Sequence, residues 1–245
     1  MSDPIRLAIV SEGPTDRIVI EAIVAALVPS RDFVVTQLQP ESTESFGQRG
    51  GGWTGVYRWC RQAVAQGRGA IASNVLFDFH DLLVIHLDAD VAGKTYGSGN
   101  IAETVHDLPC ERPCPPCSAT TDALRRVILR WIASPNWPDR VVPCTPSRNT
   151  ETWVLVALYP DDPASIHPDV ECHDDASVRL AAKPAGQRLV RYRPGEIRPK
   201  KNVSRYADRK ADMIASWAGV RGACAEAERF STDLMTAIAN VATDH

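Results

Sequence analysis

The sequence predicts an α/β fold: a mostly parallel sheet of about four strands flanked by helices, with a C-terminal helical extension. Three observations carry that expectation. Two apolar runs, Arg6 to Ser11 and Leu82 to Asp90 ("LLVIHLDAD"), are continuous rather than alternating, as in strands covered on both faces. Stretches of helical period stand between the strand-like runs, which supplies the crossovers that parallel pairing needs. The chain has 245 residues, 44% hydrophobic and 23% charged, enough to bury a core without staples.

Each element has a local reason. Gly13-Pro14 breaks the first strand, and Pro14 suits the first turn of a helix, where its missing N–H costs nothing. Ile20, Ile23, Val24 and Leu27 recur at helical spacing and define one buried face, and Pro29 ends the helix. "DFVVTQLQP" reads as a second strand. A glycine-rich loop, "GQRGGG", leads to an amphipathic helix from Thr54 to Gln66. The strand Leu82 to Asp90 comes next, then the loop "VAGKTYGSGN" and the Cys/Pro segment "CERPCPPC". The following helix, "TTDALRRVILRWIAS", takes Thr121 as its N-cap. "RVVPCTPSRNTETWVLVALYP" gives a short strand, a loop, and a helix starting near Asn149 or Thr150, with Trp153, Leu155 and Leu158 as core residues.

After Pro160 the texture changes to a polar, irregular stretch and then to the basic "RYRPGEIRPKKNVSRYADRKADM". Helical stretches run from Arg205 to Trp217 and from Ala223 to Ala239. The expected organisation is therefore a catalytic core over residues 1–160, with a cysteine-rich insertion near 106–117. A basic loop and helical extension over 161–245 packs on it.

A formal net charge of −3 gives the whole molecule no general attraction for nucleic acid, so any phosphate-binding surface must be a local patch or be built with metal ions. No apolar run reaches the ~18 residues of a membrane span. The start, "MSDPIRLAIV", lacks the basic and apolar regions of a secretory signal. The expectation is a cytoplasmic protein without a membrane partner, whose seven cysteines are thiols or metal ligands rather than disulfides.

The acidic residues carry the functional signal. Glu12 lies at the exit of the first strand, and Asp88 and Asp90 lie at the exit of the "LLVIHLDAD" strand. Ligands of open parallel sheets bind at those carboxyl ends. Period-two alternation would put Asp88 and Asp90 on one side, with Ala89 facing away. Crowded carboxylates require a cation or a shared proton, and hard oxygen donors select Mg²⁺ or Mn²⁺.

"VSEGPTD" followed by "HLDAD" resembles the Toprim domain of topoisomerases, primases and the overcoming-lysogenization-defect (OLD) nucleases. Asp16 makes the first motif Glu-x-x-x-Asp, similar to the OLD-type version. "PSRNTETWVLVAL" is similar to a segment of small stand-alone Toprim-like proteins. The resemblance spans roughly residues 5 to 160, and beyond them touches only a late lysine. It implies a Toprim-like fold and metal-dependent nucleic-acid hydrolysis, with Glu12, Asp16, Asp88 and Asp90 as metal ligands or Glu12 as general acid or base. It also implies a separate ATPase partner, because OLD-type nucleases fuse an ATPase ahead of this domain, and a role in defence against phage.

Rival motifs are weaker. "DADVAGKT" is not a phosphate-binding P-loop, because the position that needs glycine is Asp88. A haloacid-dehalogenase phosphatase also begins with Asp-x-Asp, the first Asp being a nucleophile; it does not need "SEGPTD" and stays as the minor alternative.

Further candidates sit around these motifs. Glu151 is either another metal ligand or a first-turn glutamate favoured by the helix dipole. Ser147 and Arg148 offer phosphate contacts, or are plain loop residues. Lys183, Lys200 and Lys201 are candidates for stabilising charge on a phosphate, with Lys200 and Lys201 preferred as catalytic because Tyr206 and a helix follow closely. Cys110, Cys114 and Cys117 form C-x3-C-x2-C, and with His106 or Cys144 as fourth ligand would hold a structural Zn²⁺. That spacing is shared with radical enzymes, but the chain has no barrel-like repeat. Met213, Trp217 and Leu234 are either core or an apolar patch for a partner.

The expected function is Mg²⁺- or Mn²⁺-dependent nucleic-acid hydrolysis, with DNA preferred and homo-oligomers open. The alternative is a non-catalytic Toprim-like subunit that binds an ATPase or a nucleotide.

Overall fold

The computed structural model of the protein describes residues 3–41, 50–103, 106–192 and 199–243. Strand β1 (Ile5–Val10) lies inside the sheet, as its unbroken apolar run requires. β2 (Phe33–Gln39) pairs with it on one side and β3 (Leu82–His86) on the other, both parallel, and β4 (Val141–Cys144) continues parallel beyond β3. The order is β2-β1-β3-β4. The chain leaves β1 toward one edge and later returns to its other side, so the ends of β1 and β3 flank the crevice where such sheets bind ligands.

Alternation along the strands sorts the core into two faces. Ile5, Leu7, Ile9, Leu82, Val84 and Val142 join the face covered by α1 (Pro14–Leu27) and α5 (Thr150–Leu158). Ala8, Val10, Leu83, Ile85 and Val141 join the face covered by α2 (Gly52–Gln66) and α4 (Ser118–Trp131), while α3 (Leu76–Phe79) is a single turn before β3. Each such fully buried Leu, Ile or Val contributes about 1.5–3 kcal/mol relative to exposure.

Helix α5 is buried from Thr150 to Ala157, so a second layer must cover it. Beyond α6 (Ala176–Ala182) and α7 (Val203–Asp208), α8 (Lys210–Ala223) and α9 (Ala225–Thr243) supply that cover. Trp153 lies in a stack with Phe230 and edge-on to Trp217. Met213, Trp217 and Leu234 are core, not an exposed patch for a partner. α9 also packs on edge strand β4, where Pro143 removes a backbone donor that another strand would need.

Several boundaries differ from the expectation: the stretch expected as one helix over Arg205–Trp217 divides between α7 and α8, and the one expected over Ala223–Ala239 is α9, Ala225–Thr243. α4 begins at Ser118, so its capping position is Cys117, and Thr121 lies inside the first turn with its hydroxyl donating to Glu226. α2 starts at Gly52, ahead of Thr54. β3 stops at His86, and a 3-10 turn over Ala89–Val91 follows. Among the described residues no helix is long and apolar enough to cross a membrane.

Candidate metal centre

His86 ends β3, and the alternation that sends Leu82 and Val84 toward α1 and α5 sends His86 the same way. Leu87 turns to the α2/α4 face, and Asp88 turns back. Asp16 enters from the first turn of α1, and Thr150 from the first turn of α5. The ligand atoms of Asp16, His86 and Asp88 all lie within 4.8 Å of one another, and all three residues are buried. Two contacts from Thr150 fix the carboxylates: its N–H donates to Asp88 Oδ1 at 3.2 Å and its hydroxyl to Asp16 Oδ1 at 2.8 Å.

The His86 ring is 0% exposed. Its Nε2 is paired with Asp88 Oδ1 at 3.1 Å, and its Nδ1 meets no hydrogen-bonding partner. Buried polar atoms are nearly always satisfied, so this exception needs an explanation. An imidazole nitrogen and two carboxylate oxygens this close together could hold a metal ion.

Burial and neighbouring charges displace the protonation of these groups in the metal-free protein. Burial, then the charges of Asp88 and Asp90, push the Glu12 carboxyl up to about 8. Burial also pushes Asp88 up, to about 6, against the pull of His86. Burial opposes the charged form of His86, but Asp88 and Asp16 outweigh it and raise the imidazole to about 9. Asp16 moves the other way: burial would raise it, and Lys201, His86 and the Thr150 hydroxyl together hold it below the ordinary range. In the metal-free protein His86 and Lys201 supply positive charge to Asp88 and Asp16, and the imidazole must lose its proton to ligate a cation.

The remaining candidates take distinct places. Glu12, at the end of β1, accepts the Asp88 N–H on Oε1 at 2.8 Å and stands beside the three-residue cluster rather than in it. Its carbonyl accepts the Gly52 N–H, and Gly52 holds φ at +68°, a conformation that favours glycine. Asp90 does not share a face with Asp88, because the strand has already given way to the 3-10 turn; it is exposed and pairs with Lys94 at 2.9 Å.

Glu151 is buried, ion-paired with Lys201 Nζ at 2.7 Å and accepting the Tyr206 hydroxyl at 2.9 Å, so it is a neighbour of the cluster and not a ligand in it. Lys201 also reaches Asp16 Oδ1 at 3.6 Å. It arrives on a two-stranded hairpin, β5 (Val190–Arg191) with β6 (Lys200–Lys201). Lys200, next on that strand, is exposed, because successive side chains alternate. Lys183 pairs with Asp162 at 2.6 Å and stands over the Tyr159 ring, away from the cluster. Ser147 is buried, and Arg148 pairs with Glu111.

The expected zinc set is not gathered. Cys114 is bonded to Cys172, a partner outside the cysteine-rich segment, which corrects the expectation of free thiols there. Cys144 is buried in β4, Cys110 and His106 are exposed, and Cys117 donates to Glu171 at 3.5 Å. Spacing along a loop sets no direction for its side chains, so the matching spacing misled.

His86 is the member of the cluster that the motifs do not single out. Its signal was present: it is the one polar residue within "LLVIH", two positions before Asp88. Thr150 and Tyr206 carried no comparable signal, since their roles depend on long-range packing.

Comparison with known proteins adds no further assignment: no family model, no curated protein and no solved structure matches the chain.

Proposed function

We propose that the protein is a divalent-metal-dependent phosphodiesterase acting on nucleic acid, with DNA the preferred substrate. The observation that carries this reading is the buried Asp16–His86–Asp88 cluster at the carboxyl ends of parallel strands, its ligand atoms all within 4.8 Å of one another. Asp16, His86 and Asp88 would hold Mg²⁺ or Mn²⁺. When bound, the cation supplies Lewis-acid charge that activates water and stabilises the leaving oxygen. Thr150 keeps the two carboxylates aimed at the same point.

Lys201 stays protonated, because Asp16 and Glu151 more than offset its burial. It is placed to neutralise charge developing on a phosphate oxygen. Glu12, held against the Asp88 N–H beside the cluster, is placed to serve as general acid or base. A separate ATPase subunit and a role in phage defence belong to the same reading; their support is the resemblance of the Glu-Gly and Asp-x-Asp motifs.

One observation favours the non-catalytic alternative. Lys201 lies against Asp16 and Glu151, and His86 against Asp88, so the chain neutralises part of its own site. A cleavage assay on plasmid DNA and on RNA, with and without Mn²⁺, separates the two. The phosphodiesterase reading expects Mn²⁺-dependent nicking; no cleavage of either polymer with any divalent metal supports the binding module.

A further inference from the structure

Lys201 brings a cation of the chain's own to the cluster. Its Nζ lies 2.7 Å from Glu151 Oε1 and 3.6 Å from Asp16 Oδ1, and both carboxylates are buried. The short contact belongs to Glu151, which is not in the cluster, and the long one to Asp16, which is. The long contact is still felt: burial would raise the Asp16 carboxyl, and Lys201 is the first of the neighbours that hold it low.

The C-terminal extension builds the anchor for this lysine. Asn202, directly after it, accepts the Arg205 N–H at 3.3 Å and so caps α7, while its own N–H donates to the Leu189 carbonyl at 2.9 Å. One turn later α7 returns Tyr206, which is fully buried and donates its hydroxyl to the same Glu151 Oε1 at 2.9 Å. Tyr206 therefore holds Glu151 whichever way Lys201 moves. Asp16 is fixed as well, by the Thr150 hydroxyl. The movable member is Lys201, a compact charge on a flexible four-carbon stem.

Two cations on one buried carboxylate repel each other, and far more strongly than they would in water. We propose that Lys201 is the internal counter-cation of the metal centre: a divalent ion must displace it from Asp16, and Glu151, held by Tyr206, keeps the displaced ammonium. The proposal rests on the reading of Asp16, His86 and Asp88 as a cation site. Its consequence is that metal affinity is set from outside the ligand set, by the strand that carries Lys201.

The test is calorimetric titration of the metal-free protein with Mn²⁺, which reads binding rather than cleavage. Lys201→Met keeps the stem, removes the charge, and should tighten Mn²⁺ binding about tenfold. Its metal-free melting temperature should fall, because Asp16 and Glu151 lose their counter-charge. Lys200→Met makes the same change on the exposed neighbour in β6 and should leave the affinity unchanged. Glu151→Gln takes away the place where Lys201 is kept. It should weaken Mn²⁺ binding about tenfold in the parent and much less in the Lys201→Met background, since the two residues act through each other. Parent protein that binds Mn²⁺ as tightly as Lys201→Met, or more tightly, would overturn the proposal and leave the cation site standing. So would unchanged affinity in Glu151→Gln, equal effects of that change in both backgrounds, or equal tightening by Lys200→Met. No Mn²⁺ binding by any form would overturn the proposal and the cation-site reading together.

Discussion

Two regions of this chain carry metal-ligand residues at suggestive spacing, and the fold treats them in opposite ways. At the ends of β1 and β3, residues far apart in sequence converge: Asp16 and Asp88 come within ligand distance of His86. In the segment around 106–117, residues close in sequence diverge, and Cys114 finds Cys172 instead. The difference lies in what fixes side-chain direction. A paired strand has a register and a period of two, so side chains at its end are aimed before any ligand arrives. A proline-rich loop has neither, and its cysteines go where packing takes them.

That contrast can be broken most decisively by exchanging the roles of the two regions. Asp88→Asn keeps the acceptor for Thr150 N–H while removing charge from the cluster. Mn²⁺-dependent cleavage should fall to background with the circular dichroism spectrum unchanged. Retained cleavage would remove Asp88 from the centre.

The disulfide should behave in the reverse sense. Cys114 and Cys172 are 58 residues apart, and closing a loop of that length restricts the unfolded chain by ~4 kcal/mol. Cys114→Ser with Cys172→Ser should therefore lower stability in urea by up to about 4 kcal/mol while the metal-dependent rate persists. Loss of activity from a well-folded double variant would tie the cysteine segment to catalysis.

A smaller effect sharpens the electrostatic side. Glu12 is raised from 4.5 to about 8, so the metal-free folded state binds more protons than the unfolded chain between those values. Stability should fall as pH rises through that window. His86, raised from 6.5 to about 9, adds stability that is complete below 6.5 and lost as pH rises through 9. Glu12→Gln should flatten the decline of metal-free melting temperature between pH 5 and 8. An unchanged pH profile would mean that the Glu12 carboxyl is not displaced.

Much of this fold was legible because the strands announce themselves. The apolar runs before Ser11 and before Asp88 gave β1 and β3, and helical spacing gave α1, α2, α4 and α5. The site was half legible. Asp88 followed from its place at a strand end, and Asp16 from the resemblance of the first motif. The pairing of Asp88 with Asp90 failed because the alternation was carried past the end of the strand; the residue sharing Asp88's side is His86. Lys201 and Lys200 looked equivalent in sequence, and only the short β5–β6 register separates the inward one from the outward one. Cys172 as partner of Cys114, and Met213, Trp217 and Leu234 as core, depend on how the C-terminal helices fold back over α5, which local pattern does not encode.

The central claim is that Asp16, His86 and Asp88 form one cation site. Calorimetric titration of metal-free protein with Mn²⁺ tests it most directly. The account predicts binding at a single site per chain, abolished in the Asp16→Asn, Asp88→Asn double variant and unaffected by Cys110→Ser. Absence of binding in the parent protein, or undiminished binding in the double variant, would contradict it.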